Sequence, residues 1–420
     1  MKDKLKKIFK WVGILSIVIV SGIALYAGQF ILFAPEPATQ PSNVKTVDDL
    51  DHYLSALVTE GLPPAMDVTV LKQGKTVFSK AYGIANGLTG EIATKEHVYH
   101  FWSMTKSFTA VAVFQLVENG KISLNESITT YLPNYSPVDE SGTPVKVTIE
   151  QLLNHTSGLP DFDTKMAAWI HLDGEPRYGE TRMVNERFQE YQTLIASPGT
   201  VSKYRNIGYV LLGAVIETVT GGTYEDYIRQ FILIPLKMNR SDFIYRPDMM
   251  KNVAKGSHSY YHFLTLLVNL MGPEGGLDSI TEGKTDDRHW LRLMHTDYAA
   301  STSLIGTGLD MSRFGQMLLN RGELDGVRIL SEESADEILY GGRFAGEKEQ
   351  VAAGEKETAL GFGAKTWFDQ GVEIIGHGGG GAGFALQYFV VPQKELVVVV
   401  LTNQTLQTQY DVAKVIVSVF

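Results

Sequence analysis

The 420-residue chain contains no cysteine, which excludes disulfides, thiolate zinc sites and a cysteine nucleophile. No Lys-Ser or Lys-Thr follows the glycines at 378–381, so they do not form a phosphate-binding loop. The absence of a Gly-x-Ser-x-Gly elbow argues against an α/β-hydrolase. His258 and His262 stand four apart, but no Glu follows the first as in a metalloprotease helix, and no metal or other cofactor is expected. The body of the chain also lacks positive charge. Residues 1–36 carry five lysines against Asp3 and Glu36, a net +3, which leaves −13 for residues 37–420. An acidic body argues against nucleic acid as a partner. With 44% hydrophobic and 20% charged residues, the composition is that of a globular protein long enough for a sizeable core.

Charge is absent from one long stretch. Lys2, Lys4, Lys6, Lys7 and Lys10 precede an uncharged run from Trp11 to Pro35. As a helix, Trp11 to Phe33 spans roughly 34 Å, enough for a hydrocarbon core of ~30 Å. Trp11 at one end and Phe30 and Phe33 at the other suit the two interfaces. The alternative is a cleaved signal peptide, for which Ala24-Leu25-Tyr26-Ala27 is a poor processing site. The expectation is a single-pass signal anchor in the cell membrane (residues 1–35) and a Pro-rich linker (36–46). The extracytoplasmic domain (47–420) would follow, with the lysines holding the N-terminus in the cytoplasm.

Within that domain, Val47 to Glu60 has helical apolar spacing, and Val68–Lys72 and Thr76–Tyr82 flank Gly74 as a hairpin. Thr148 and Gln151 form a capping box at the start of a short helix that ends in the turn Asn154 to Pro160. Helical spacing dominates Glu186 to Ile234 and recurs at Asp310–Asn320 and Ser331–Leu339. Four strands follow (Leu360–Phe368, Glu373–Gly376, Ala385–Val391, Leu396–Leu401), and then a helix from Thr405 to Val419. Strands at both ends and helices between predict an α+β fold: an antiparallel sheet flanked by helices, built from both ends of the chain, beside a mainly helical lobe at roughly 120–345. The run Tyr260 to Met271 is too short to span a bilayer. It reads as a buried helix, a lid, or a segment lying on the membrane surface.

The chemistry concentrates in Ser103-Met104-Thr105-Lys106, where an apolar-periodic helix begins. Residues three apart share one helix face, so hydroxyl and amine project together. Helix-start amides and the positive dipole end favour an oxyanion and disfavour a charged ammonium. A serine beside a partly neutral lysine is an activated nucleophile, although a helix N-cap is the plainer role for Ser103. Two distant stretches bear on the choice: Tyr204-Arg205-Asn206 ahead of a helix, and His377-Gly378-Gly379-Gly380, where a histidine ends a strand and backbone is able to approach a ligand. Taken singly, they also read as a tyrosine under a loop and a glycine-rich turn.

In this order and with these flanks, the sequence resembles the serine beta-lactamase and penicillin-binding-protein superfamily, most of all its class C beta-lactamase and D,D-peptidase branch. The likeness runs from about Pro64 to the C-terminus and includes Gly83-Ile84-Ala85, Leu152-Leu153-Asn154-His155-Thr156-Ser157-Gly158-Leu159 and Pro235-Leu236-Lys237-Met238. The resemblance implies a five-stranded antiparallel sheet beside a helical lobe, with the active site in the cleft between them. It further implies Ser103 as nucleophile, Lys106 as its proton acceptor and Tyr204 as a second acid/base group. Asn206, His377, Gly379 and Gly380 would bind substrate, and the amides of Ser103 and Gly380 would form the oxyanion hole.

His377 occupies the place of a lysine in many relatives, and because a histidine with a pKa near 6.5 need not be charged at neutral pH, binding of a substrate carboxylate is expected to depend on pH. Arg205 replaces a small residue and is expected at the cleft rim; His155 is expected to brace a turn. The substrates implied are small molecules or peptides, peptidoglycan among them, reacting through an acyl-serine on D-alanyl peptide, beta-lactam or ester bonds. The alternative is a penicillin-binding sensor of the cell wall that is acylated but turns over slowly.

Overall fold

The computed structural model describes residues 43–260, 276–285, 287–342, 347–348, 359–369, 371–405 and 409–420. The expected anchor at 11–33, most of the linker, His262 and the apolar run from residue 261 lie outside them. Among the described residues, no helix is long and apolar enough to cross a membrane.

Thr46 and Asp49 close a capping box at the start of α1 (Val47–Thr59), whose Leu50, Leu54 and Leu57 are buried. Strands β1 (Ala65–Lys72) and β2 (Lys75–Asn86) meet at Gln73-Gly74, both in the left-handed region (φ 53° and 72°) that a tight hairpin turn requires. The longer helices between the two halves of the sheet are α2 (Thr105–Glu118), α3 (Asn206–Thr220) and α4 (Gly308–Leu319). Strands β3 (Lys365–Asp369), β4 (Val372–Gly381), β5 (Phe384–Val391) and β6 (Leu396–Thr402) follow, and α5 (Gln409–Val419) ends the chain.

Among the described residues the sheet has eight antiparallel strands, against the five that the resemblance implies. Its order is Ala359–Leu360, β3, β4, β5, β6, β1, β2 and Glu91–Ile92, so two of the eight are two-residue edge strands. Pairing of β6 with β1, Met66 opposite Thr402 and Lys72 opposite Leu396, joins the two ends of the chain as expected. Along β6 the side chains alternate between two cores. Val397, Val399 and Leu401 join Phe108 and Phe314, while Leu396, Val398 and Val400 join Leu50, Leu54, Val412 and Ile416. Helices therefore cover both faces, which is why Leu396 to Leu401 is an unbroken apolar run.

One expectation changes. Strand β4 does not end before His377 but continues through Gly381. In the described part of 255–300, Ser257–Ser259, Arg288–Leu291 and Thr281–Lys284 form a small antiparallel sheet, beside a short helical turn at Gly276–Ile280. The apolar run read at Tyr260 to Met271 lies outside the described residues from 261 on.

Candidate active site

The turn that carries Ser103 is fixed from outside. Phe101 donates its N–H to Leu304 O (2.8 Å), and Thr105 Oγ1 bridges Trp102 O (2.6 Å) and the Leu304 amide (3.1 Å). Trp102 takes φ +48°, a cost that non-glycine residues bear only when the surroundings impose it, and its ring stacks on His100 at 4.5 Å. The tight turn Trp102–Met104 then runs into α2, and Met104 rather than Ser103 occupies the cap position, with no side-chain capping bond. The serine hydroxyl is not used as a cap. Ser103 is partly exposed, and Lys106, one turn on, is fully buried.

Lys106 Nζ lies 3.2 Å from Ser103 Oγ, 2.9 Å from Asn206 Oδ1 and 3.1 Å from Ser301 O. Burial pushes its pKa well below the usual lysine value; Asp161 works in the opposite direction, and Lys365 adds to the depression. A neutral amine has two N–H bonds and one lone pair. The amide oxygen of Asn206 and the carbonyl of Ser301 are pure acceptors and take both N–H bonds, so the lone pair is left for the Ser103 hydroxyl proton. This arrangement makes a base of a lysine.

Arg205 has extended backbone (φ −141°, ψ 134°), so its neighbours Tyr204 and Asn206 project to one side and Arg205 to the other. Arg205 is buried rather than a cation on the rim. Its amide donates to His155 Nδ1 at 3.0 Å, and the His155 ring packs 4.6 Å from that of Tyr204, so His155 braces this segment. Helix α3 has no cap from its own chain start; Asp161 supplies one, accepting from Asn206 N (2.7 Å) and Ile207 N (3.0 Å). The Tyr204 hydroxyl is buried and completes no hydrogen bond, although Ser103 is close enough to favour the phenolate somewhat. Burial outweighs that contribution and raises the Tyr204 pKa, so the resting side chain is a phenol.

Opposite them runs β4, and the glycines there are steric. A Cβ on Gly379 would come within 2.1 Å of Phe101 O, and one on Gly381 within 2.3 Å of the Trp102 ring. At Gly380 no atom lies within 4 Å of that position, so a side chain there would meet open space. His377 is buried, and its Nδ1–H donates to Gly378 O (2.6 Å), which leaves Nε2 as an acceptor. Burial, Lys365 and Lys106 hold its pKa well below the ordinary value. His377 therefore supplies no positive charge near neutral pH, in keeping with a histidine that need not be charged there. The adjacent strand brings a cation instead: Lys365, paired with Gly376, places Nζ 5.0 Å from the Tyr204 ring centroid, and Lys106 Nζ lies 4.9 Å from the same centroid.

The structure thus brings Ser103, Lys106, Tyr204, Asn206 and His377 together, with the β4 glycines packed against the Ser103 turn. Sequence reasoning missed Asp161, Ser301 and Lys365. Asp161 directly follows the turn ending in Pro160 and so carried a faint signal; Ser301 and Lys365 carried none. Among the described residues, no three His, Asp or Glu side chains are placed to hold a metal ion.

Comparison with known proteins adds context to this geometry. A family model described as beta-lactamase matches residues 50–416. "Protein flp" of Staphylococcus aureus (strain N315) is 27% identical over 207 residues, 49% of this chain and 40% of that protein. An Escherichia coli (strain K12) protein with the provisional name D-alanyl-D-alanine carboxypeptidase is 28% identical over 242 residues, 54% of each chain. The chain thus spans about half or less of the length of these relatives. The structure of the octameric penicillin-binding protein homologue from Pyrococcus abyssi superposes with a TM-score of 0.68 at 26% identity, covering 88% of this chain and 76% of that one.

Proposed function

The chain belongs to the beta-lactamase family of serine hydrolases, and on that premise we propose that it cleaves or transfers acyl groups through an ester at Ser103. The observation that carries this reading is the buried Lys106 amine 3.2 Å from the Ser103 hydroxyl with both of its N–H bonds already committed. Ser103 Oγ attacks the substrate carbonyl carbon as its proton passes to Lys106 Nζ. The oxyanion that forms rests on the amides of Ser103 and Gly380. The carbon–nitrogen or carbon–oxygen bond then breaks, and the leaving group takes a proton from the Tyr204 phenol. The resulting phenolate is stabilised by the Lys106 ammonium and by Lys365. Water, or an acceptor amine, releases the acyl group by the reverse sequence.

The favoured substrates are D-alanyl peptides and beta-lactams, followed by other D-amino-acid amides and small esters. The family, the name of the Escherichia coli relative and the Pyrococcus likeness support that order. The basic residues and uncharged run at 2–35 support a membrane anchor with the domain outside the cytoplasm, within reach of peptidoglycan.

One observation favours a second reading, the slow-turnover sensor: a Tyr204 hydroxyl without a partner and with a raised pKa is a poor activator of water. Intact-mass spectrometry with benzylpenicillin and with a D-alanyl ester separates the two. A serine adduct that forms and decays in wild type but not in Ser103→Ala identifies a turnover enzyme, and one that persists identifies the sensor. No adduct with any acyl donor refutes both.

A further inference from the structure

We infer that Asp161 is a positioning residue for acyl transfer: it locks the Asn206 carboxamide in one of two orientations and so aims the Lys106 lone pair at Ser103. The inference rests on the acyl-serine reading above. A carboxamide turned by 180° exchanges its oxygen and nitrogen at almost no steric cost, so its neighbours decide which orientation holds. Asp161 Oδ2 faces Asn206 Nδ2 at 3.3 Å and also accepts from Asn206 N, and Met166 Sδ lies 3.7 Å from the same Nδ2. On the other side, Asn206 Oδ1 receives both Lys106 Nζ and Ser301 Oγ at 2.9 Å.

Turned over, the carboxamide would set its oxygen against a carboxylate and its N–H groups against the Ser301 hydroxyl and the Lys106 amine. One of those N–H groups would then bond to the lone pair itself and quench the base. When ionised, the Asp161 carboxylate is an acceptor only and removes that alternative; burial raises its pKa, and the amides of Asn206 and Ile207 work against that rise. The Asn206 side chain is thereby fully engaged inside the protein, with its nitrogen turned to Asp161 and its oxygen to Lys106.

The same carboxylate opposes the other charge in the cleft. The groups around Lys106 are Asp161 from the loop after Pro160, His155 from the turn before it, Tyr204 and Tyr209 from the α3 region, Lys365 from β3 and His377 from β4. Both histidines are held neutral by burial, and burial also raises the pKa of Asp161 itself, so the charges that act on Lys106 are those of Asp161 and Lys365. Asp161 favours the ammonium and Lys365 the amine.

The test is the rate of Ser103 acylation by a fluorescent penicillin between pH 5 and pH 9. Asp161→Asn lowers the rate by roughly 10- to 100-fold. It also moves the acid limb of the profile to lower pH, because Lys106 then loses its proton more easily. Lys365→Met moves the same limb to higher pH. Ser301→Ala, which leaves the α3 cap intact, slows acylation a few-fold without moving the limb, so the inference stays testable if Asp161→Asn folds poorly. A limb that stays in place in Asp161→Asn, or a rate unchanged in Ser301→Ala, overturns the inference. A wild type that neither penicillin nor a D-alanyl ester acylates overturns the acyl-serine reading itself and this inference with it.

Discussion

The strands β5 and β6 and the floor of the cleft are equally buried, yet they are held together differently. Every residue of Phe384–Val391 and Leu396–Thr402 is buried, and most are apolar, so that region is stabilised by area removed from water, about 25 cal/mol per Å². Beneath Ser103 the buried groups are an amine, a carboxamide, a hydroxyl and a phenol. Each costs desolvation energy that only a matched partner offsets. Lys106, Asn206 and Ser301 satisfy one another, and the Tyr204 hydroxyl is left without a partner. The sheet tolerates exchange among apolar side chains of similar volume, whereas the cleft floor tolerates almost none. The floor also gives up stability in order to hold its bases neutral.

Lys106→Met breaks this contrast most strongly. The variant retains the volume and loses the base, so acylation of Ser103 falls roughly a thousandfold or more at every pH, as measured by adduct formation. It also changes the stability profile. A lysine whose folded pKa is depressed leaves the unfolded chain with more bound protons, so stability rises with pH up to the ordinary lysine range. Urea titrations of wild type between pH 7 and pH 10 carry that slope, and the Met variant lacks its share; equal slopes would show that Lys106 is charged in the fold.

Tyr204→Phe is the next largest. Turnover falls roughly 10²- to 10⁴-fold while the melting temperature holds or rises, because the variant removes a buried hydroxyl that has no partner. A clear loss of stability would mean that the hydroxyl is bonded after all. On the sheet side, Leu401→Ala costs about 2–5 kcal/mol of stability through lost burial and a cavity, while the folded fraction acylates at the wild-type rate. An acylation defect in folded Leu401→Ala would show that core packing is transmitted to the cleft.

Most of the sheet could be read from the chain because its physics is local and periodic. The alternation at Val68–Lys72, the turn at Gly74 and the apolar run at Leu396 each constrain the backbone within a few residues. The sequence signal of strand β4 ends before His377 because four consecutive glycines weaken any strand signal. They are present because Phe101 O and Trp102 press against β4, a contact between residues nearly 280 positions apart. Ser103, Lys106, Tyr204, Asn206 and His377 were all legible as motifs, but their electrostatic states were not. A histidine at the sheet looks like a titrating cation until its burial beside two lysines is known.

The sequence by itself determined which motif side chains the cleft would contain and that a sheet from both ends of the chain would carry one of them, His377. Covalent spacing and hydrophobic periodicity are properties of the chain alone. The tertiary structure alone decided how each proton is biased: that burial lowers the pKa of Lys106 and of His377 and raises that of Tyr204, and that Asp161, Ser301 and Lys365 stand around them. A proton's residence depends on the solvent excluded and the charges brought near, and those come from segments that meet only when the chain is folded.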